Sequence, residues 1–186
     1  MKMSSKAFIR KLAVDPSYAI VPIKVAARAL DLTRASVERM LNDGRLEEVC
    51  VSDIRCVRAN GIIARLKEMD ARTNLVYARL EIVARSRGDI TYGPLMGELG
   101  LDSTLSKDRN LIAKILEMVS RRSEKESKIL LSVLVRRKSR DAMPGPGFFA
   151  MAKSLGYPFE DSEQFVREQT ERVWNYYAPK PRRRAA

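Results

Sequence analysis

The sequence predicts a mainly α-helical protein of the α+β class, with two folded parts joined by a long helix. Apolar residues recur at helical spacing through most of the chain. Two segments depart from that pattern: residues 47–57 alternate apolar and polar side chains, and residues 128–138 are rich in leucine and valine. We therefore expect helices throughout, with β structure at these two places.

The composition favours a partner with negative charge. Lysine and arginine total 35 against 23 aspartates and glutamates, which gives a formal net charge of +12. A field of this sign attracts polyanions, and the phosphate backbone of nucleic acids is the commonest one in a cell. A protein kept soluble by its charge, or one bound to the ribosome, has the same composition. Charge alone therefore suggests nucleic acid without selecting it.

The residue types that are missing exclude several classes of enzyme. The chain has no histidine and only two cysteines, Cys50 and Cys56, which excludes Ser-His-Asp and Cys-His catalysis, histidine metal sites and four-cysteine zinc sites. We predict that the protein is not an enzyme and holds neither a cofactor nor a metal ion. No apolar run approaches the roughly 18 residues of a membrane span. We expect a cytoplasmic, nucleoid-associated protein without a membrane partner.

Two short helices with a tight break between them are predicted within residues 21–46. The break falls at Asp31, Thr33 is placed to cap the second helix through its hydroxyl, and Asn42-Asp43-Gly44 provides the stop. The apolar positions of the two helices are Val25, Ala26, Ala29 and Leu30, and then Val37, Met40 and Leu41. A second helix this short, with polar residues off its apolar face, is a candidate recognition helix for a DNA groove.

A small β-hairpin is predicted directly after these helices, where residues 47–51 and 54–57 flank Ser52-Asp53. The whole segment, VAARALDLTRASVERMLNDGRLEEVCV, resembles the winged helix-turn-helix of excisionase-like and MerR-like DNA-binding proteins over residues 19–58. The alternative is a helix pair within a larger all-helical protein, with its arginines merely solvated.

The resemblance implies a set of DNA contacts. Towards the major groove it places Arg34, Ser36 and Arg39, on the helix that Thr33 caps, and Thr33 is itself predicted to be a DNA-binding residue. Towards the DNA backbone or the minor groove it places Arg45 and the wing residues Arg55 and Arg58. The wing is short, which departs from the family pattern at the minor-groove contact.

The register of the hairpin decides whether the two cysteines can pair. A three-residue loop at 52–54 would place Cys50 opposite Cys56, whereas a loop of two or four residues places them on opposite faces. In a cytosolic protein, buried or idle thiols are the usual outcome.

One long helix is predicted next, because the apolar pattern begins at Ile62 and continues to Arg87 without an internal proline or glycine. Its apolar positions are Ile63, Leu66, Met69, Val76, Leu80 and Val83. Helices of this length after a winged domain often pair with a second copy, which matches two DNA half-sites. A helix that packs only on its own chain is the alternative.

Gly88 ends that helix and is followed by the segment DITYGPLMGELGL, residues 89–101. This segment resembles the helix-turn-helix region of the alkylguanine alkyltransferases and alkyltransferase-like proteins, with a second helix at residues 107–121. The Pro-Cys-His-Arg segment of the alkyltransferases is missing, and neither cysteine lies in this half of the chain. Alkyl transfer needs a thiolate nucleophile, so the resemblance implies binding alone.

Residues 128–138, KILLSVLVRRK, are predicted to form a strand that ends in a basic cluster. The cluster consists of Arg136, Arg137, Lys138 and Arg140. The segment MPGPGFF then forms a rigid turn, in which Phe148 and Phe149 anchor the following helix. These elements are compatible with a second winged domain whose tip is the cluster, although a charge run is usually just solvated surface.

The last helix is predicted at residues 162–177. It carries one apolar and aromatic stripe, Phe165, Val166, Val173, Trp174 and Tyr177. Such a stripe is more often core or interface than a surface for stacking nucleotides. The tail APKPRRRAA is predicted to be a disordered arm, in which Arg182, Arg183 and Arg184 add nonspecific phosphate affinity.

A catalytic alternative depends on Glu126-Ser127-Lys128, which has the Glu-x-Lys spacing of nucleases that hold a metal with carboxylates. No acidic residue at the end of an earlier predicted strand completes such a site. Glycine-rich phosphate loops are absent as well. We therefore expect no catalysis there.

The sequence predicts four parts: a winged helix-turn-helix domain at 1–60, a connecting helix at 61–88, a C-terminal α+β domain at 89–178 that could be a second winged helix, and a disordered basic tail at 179–186. We predict a double-stranded DNA-binding protein, either a sequence-specific transcriptional regulator or an excisionase-type architectural factor. A homodimer would form through the long helix or the final aromatic helix. The alternative is a basic interaction protein that docks on RNA or on a protein assembly through its C-terminal domain.

Overall fold

The computed structural model describes residues 5–15, 19–51, 54–139 and 142–179. These residues are mainly helical with a small amount of sheet, which confirms the mainly α class predicted from the sequence. The chain divides into two compact units, Met1–Asp70 and Ala71–Ala186. No helix in the described ranges is long and apolar enough to cross a membrane.

The first unit combines helices with a small antiparallel sheet. Its elements are α1 (Ser5–Val14), β1 (Ile20–Pro22), α2 (Ile23–Leu30), α3 (Arg34–Asn42), β2 (Glu48–Val51), β3 (Ile54–Arg58) and the start of α4 (Ala59–Arg85). The strand order is β1-β3-β2, and both pairings are antiparallel. The predicted hairpin is present, and β1, which the sequence did not indicate, adds a third strand beside it.

The helices of the first unit pack around one apolar core. Its fully buried members include Ile9, Val21, Ala26, Ala29, Val37, Val57 and Ile62. Leu46 joins this core from the loop before β2 and packs against α4 at Gly61, where a Cβ would lie only 3.0 Å from Leu46 Cδ2. A glycine at position 61 therefore permits the close approach of the helix to that loop.

The second unit contains the rest of α4 and four further helices in its described part. Its elements are β4 (Ile90–Thr91), α5 (Tyr92–Glu98), α6 (Ser106–Ser127), β5 (Val135–Arg136), α7 (Pro146–Ser154) and α8 (Ser162–Tyr177). The two short strands pair in parallel, with Ile90 opposite Val135. The predictions of one long helix and of a last helix at 162–177 are confirmed, and α6 is longer than expected.

The strand predicted at residues 128–138 is wrong, because only Val135–Arg136 is extended and residues 131–134 form a 3-10 turn. Side chains of α6 satisfy the backbone of this segment in place of a neighbouring strand. The N–H of Leu131 donates to Ser123 Oγ at 3.1 Å, and the N–H of Ser132 donates to Ser120 Oγ at 3.2 Å. The apolar composition of residues 129–135 reflects their burial and not a β ladder.

Several aromatic residues of the second unit make contacts within that unit. Phe148 anchors α7 as predicted, with its ring centroid 6.1 Å from that of Phe165 on α8. At the other end of α8, Trp174 Nε1 donates to the carbonyl of Gly88 at 3.0 Å, and the Tyr177 hydroxyl donates to Glu81 at 3.2 Å. The aromatic stripe of α8 is therefore largely occupied within this unit.

Candidate nucleic-acid interface

The turn between α2 and α3 is held by specific hydrogen bonds. Asp31 adopts a left-handed conformation with φ of 52° and ends α2, and Lys6 of α1 binds its carboxylate at 2.5 Å. Thr33 caps α3 as predicted, because its Oγ1 accepts the N–H of Ser36 at 3.1 Å. These contacts fix the direction in which α3 leaves the turn.

One side of α3 is buried and the other faces solvent. Val37, Met40 and Leu41 are at most 7% exposed and fasten the helix to the core of the first unit. On the opposite side, Arg39 and Asn42 lie one turn apart and are exposed. Their side chains make no hydrogen bond or ion pair with any residue that the structure describes. They are therefore available to a ligand that lies along this face.

The other two predicted major-groove residues are engaged locally. Arg34 remains exposed, but its Nε donates to the Glu38 carboxylate at 2.7 Å. Ser36 is half-buried, and its hydroxyl lies 2.8 Å from the hydroxyl of Thr33. Of the residues predicted to face the major groove, only Arg39 projects without a partner in the described part of the chain.

The structure adds three polar residues that were not predicted to contact DNA. Lys24 and Arg28 are exposed on α2, four residues apart, and their side chains make no contact with described polar groups. Asn42, predicted only as part of a helix stop, continues the exposed face of Arg39. Helical spacing alone could have identified all three, since residues three or four apart share one side of a helix.

The arginines of the hairpin carry their own counter-charges. Arg55 on β3 donates two hydrogen bonds to the Glu48 carboxylate on β2, and Arg58 donates to Glu47 at 3.1 Å. The hydrogen bonds from Arg55 lower the pKa of Glu48 from its ordinary value, so the pair stays ionised at neutral pH. The positive field expected of a wing is therefore largely neutralised within the sheet.

Arg45, in the loop before β2, is paired in the same way with Asp43 at 2.7 Å.

The cysteines of the hairpin lie on opposite faces of the sheet, because Cys50 is opposite Arg55 and Cys56 is opposite Val49. Cys50 is exposed, Cys56 is buried, and both are free thiols. The register that would have paired them is not the one adopted.

The basic cluster of the second unit differs from the prediction. Arg136 was expected at an exposed wing tip, but it is 7% exposed and its Nη2 donates to Thr170 Oγ1 at 2.7 Å. Arg137 and Lys138 are exposed, whereas Arg140 and the tail residues Arg182, Arg183 and Arg184 lie outside the described residues. Strand β5 pairs in parallel with β4, and the described residues of this unit contain no antiparallel hairpin of the kind that forms a wing.

The Glu-x-Lys segment lies at the end of α6 and not before a strand. Glu126 accepts hydrogen bonds from Arg122 at 2.9 Å and from the Tyr77 hydroxyl at 3.2 Å, and Lys128 pairs with Glu124 at 3.0 Å. No group of three histidine, cysteine or acidic residues that could hold a metal occurs among the described residues. Both charged ends of the segment are thus held by neighbours on the helix.

Comparison with protein-family models, with curated proteins and with solved structures gives no match to this chain.

Proposed function

We propose that the first unit is a winged helix-turn-helix domain that binds double-stranded DNA, with α3 in the major groove. The observation that carries the proposal is the exposed face of α3, where Arg39 and Asn42 stand opposite the buried side. Arginine contacts guanine and asparagine contacts adenine through paired hydrogen bonds at the base edges. A short helix that presents these two side chains has the chemistry of a recognition helix.

The order of the elements supports this proposal. A strand, two helices joined by the three-residue turn 31–33, and an antiparallel hairpin follow one another in the first unit. In helix-turn-helix proteins the first helix of the pair crosses the DNA backbone while the second enters the groove. Lys24 and Arg28 on α2 would then meet phosphates, which fix the orientation of the protein without selecting a sequence.

The ion pairs at this surface indicate how much each remaining arginine would contribute to DNA binding. Arg34 would leave Glu38 at little cost, because an exposed pair four residues apart on a helix is worth about 0.3–0.5 kcal/mol. Arg55 is bound by two hydrogen bonds and would contribute less than its charge suggests. We infer that the affinity for DNA comes mainly from α2 and α3. The protein would act as a transcriptional regulator or an architectural factor, and not as an enzyme.

We also propose that two copies pair through α4. Leu75 and Ile82 are 63% and 58% exposed and lie seven residues apart, on the same side of the helix. The final helix is the weaker alternative, since its Trp174 and Tyr177 are engaged within the second unit. A symmetric dimer would carry two copies of α3, one for each of two DNA half-sites.

Selection of the full-length protein on a random duplex pool at two salt concentrations tests the DNA proposal. We expect one enriched motif that persists at the higher salt concentration, because base contacts add to the phosphate contacts that salt weakens. Uniform binding that disappears at high salt would contradict recognition by α3. Absence of duplex binding at low salt would contradict the proposal entirely and favour docking on RNA or on a protein assembly.

A further inference from the structure

A pocket of about 320 Å³ opens in the second unit beside α8. Arg136 of β5 lies at its buried side, and Val166 and Trp174 of α8 give it an apolar wall. Its exposed side carries Glu163 and Glu171, with Arg167 between them along the helix. The volume lies at the lower end of the range for small-molecule sites, about 300–1,000 Å³.

Arg136 has a buried hydrogen-bond donor for which the described residues supply no acceptor. Its side chain is only 9% exposed, its Nη2 donates to Thr170 Oγ1, and its Nε is 4.0 Å from the Asp89 carboxylate. Nη1 is buried and has no hydrogen-bond acceptor in the described part of the chain. Thr170 donates in turn to the carbonyl of Val166 at 2.6 Å, which holds the guanidinium in one orientation.

A buried guanidinium with an open donor favours an anionic acceptor. Arginine stays charged in proteins, and an unsatisfied charged donor is among the most costly groups to bury. Burial indeed lowers the pKa of Arg136 from its ordinary value, and Asp89 only partly opposes that effect. Because Nη1 is closed off from solvent, a ligand oxygen reaches it only when the side chains that cover it move; that oxygen would then supply the missing acceptor and stabilise the positive charge.

The other charged side chains of the pocket determine which anions can bind there. Among the described lining residues, Glu163, Glu171 and Asp89 bring three exposed carboxylates to the opening, against one exposed cation, Arg167. A dianionic phosphate would meet strong repulsion there, whereas a single carboxylate would meet much less. The apolar wall of Val166 and Trp174 fits an uncharged hydrocarbon or aromatic body.

We propose that this pocket binds a small monocarboxylate with an apolar body. The carboxylate accepts a hydrogen bond from Arg136 Nη1, and the body packs against Val166 and Trp174. The proposal does not depend on DNA binding by the first unit, since every residue that it uses belongs to the second unit.

Trp174 provides the measurement, because it is the only tryptophan of the chain and lines the pocket. Its fluorescence is titrated with 3-phenylpropanoate and, at matched ionic strength, with 3-phenylpropanamide and phenyl phosphate. We expect a saturable change with the carboxylate, affinity at least about tenfold weaker for the amide, and weaker binding still for the phosphate. No saturable change with the carboxylate, equal affinity for the amide, or tighter binding of the phosphate would overturn the proposal.

Variants locate the site. Arg136→Met should abolish the response, whereas Arg172→Met removes an exposed arginine of α8 outside the pocket and should change the affinity less than about twofold. Glu171→Gln should tighten carboxylate binding, because it removes repulsion at the opening. Circular dichroism establishes that each variant is folded, and unchanged affinity in folded Arg136→Met would overturn the proposal. If that variant does not fold, weaker or unchanged binding in Glu171→Gln would overturn it.

Discussion

Glu48 of β2 and Arg55 of β3 lie diagonally across the hairpin, two residues out of register, and form a two-point ion pair, one bond of which measures 2.8 Å. Arg58 and Glu47 form a second ion pair of the hairpin, through one hydrogen bond of 3.1 Å. Both arginines of the hairpin thus reach solvent with a carboxylate already bound. The hairpin is consequently much less attractive to phosphate than its arginine content suggests.

Glu48→Gln should release Arg55 and strengthen duplex binding. One further free arginine near phosphate makes the slope of log affinity against log salt steeper by about 1. Fluorescence anisotropy at several salt concentrations measures both quantities. Glu160→Gln removes one exposed negative charge in the second unit and serves as the matched control. Equal gains in the two variants would mean that only the net charge matters.

Ser123→Ala should destabilise the second unit by about 1–3 kcal/mol, the cost of leaving buried polar groups unpaired. Ser123 Oγ donates to the carbonyl of Ile129 at 2.9 Å and accepts the N–H of Leu131, so the change deprives two backbone groups of a partner. Urea denaturation measures the loss. Ser103→Ala, at an exposed position, should change the free energy of unfolding by less than about 0.5 kcal/mol. Similar effects of the two changes would contradict this role for Ser123.

Stability should decline at alkaline pH because one tyrosine is buried and two are half-buried. Burial is the main cause that raises the pKa of Tyr77, Tyr92 and Tyr177, and the last also shares a hydrogen bond with Tyr77. In the unfolded chain these phenols ionise near pH 10, at about their ordinary pKa. The folded state then binds more protons than the unfolded state, so the stabilising contribution is complete below about pH 10 and is lost as the pH rises further.

Denaturation midpoints measured between neutral and alkaline pH, together with tyrosinate absorbance, test this expectation. Tyr177→Phe removes one ionisable phenol and should reduce the loss of stability above pH 10 that the wild type shows. A midpoint that is independent of alkaline pH in the wild type would contradict it.

Leu75→Gln with Ile82→Gln should convert a dimer to a monomer without unfolding the protein. Both side chains are exposed, and glutamine retains good helix propensity. Sedimentation equilibrium gives the mass of each variant. Tyr176→Gln, at a half-exposed aromatic position of α8, is the control and should leave the dimer intact. A monomeric wild type, or dissociation caused by Tyr176→Gln alone, would contradict pairing through α4.

Local signals in the sequence sufficed for most of the helices, although α1 (Ser5–Val14) was not predicted. The capping hydroxyl of Thr33, the break at Asp31 and the apolar spacing of Val37, Met40 and Leu41 each concern neighbouring residues, and each prediction is confirmed. The last helix, Ser162–Tyr177, is likewise defined by its own periodicity. Such features depend little on the rest of the chain.

Features that depend on distant residues could not be predicted. Strand β1 has three residues and ends at Pro22, and it forms only because β3 pairs with it. Residues 131–134 avoid a strand because serines of α6 bind their backbone. The burial of Arg136 has no local signal either, since Arg137 and Lys138 beside it are exposed. The pairing of Glu48 with Arg55 required the register of the hairpin, which the sequence left open.

Binding of wild type and Arg39→Ala to a selected duplex and to a random duplex at the same salt concentration tests the central claim most directly. Arg172→Ala, which removes an exposed arginine from α8, provides the charge-matched control. If α3 contacts base edges, Arg39→Ala loses about 1–3 kcal/mol on the selected duplex and little on the random one. An equal loss on both duplexes, or the same loss in Arg172→Ala, would contradict recognition of DNA sequence by α3.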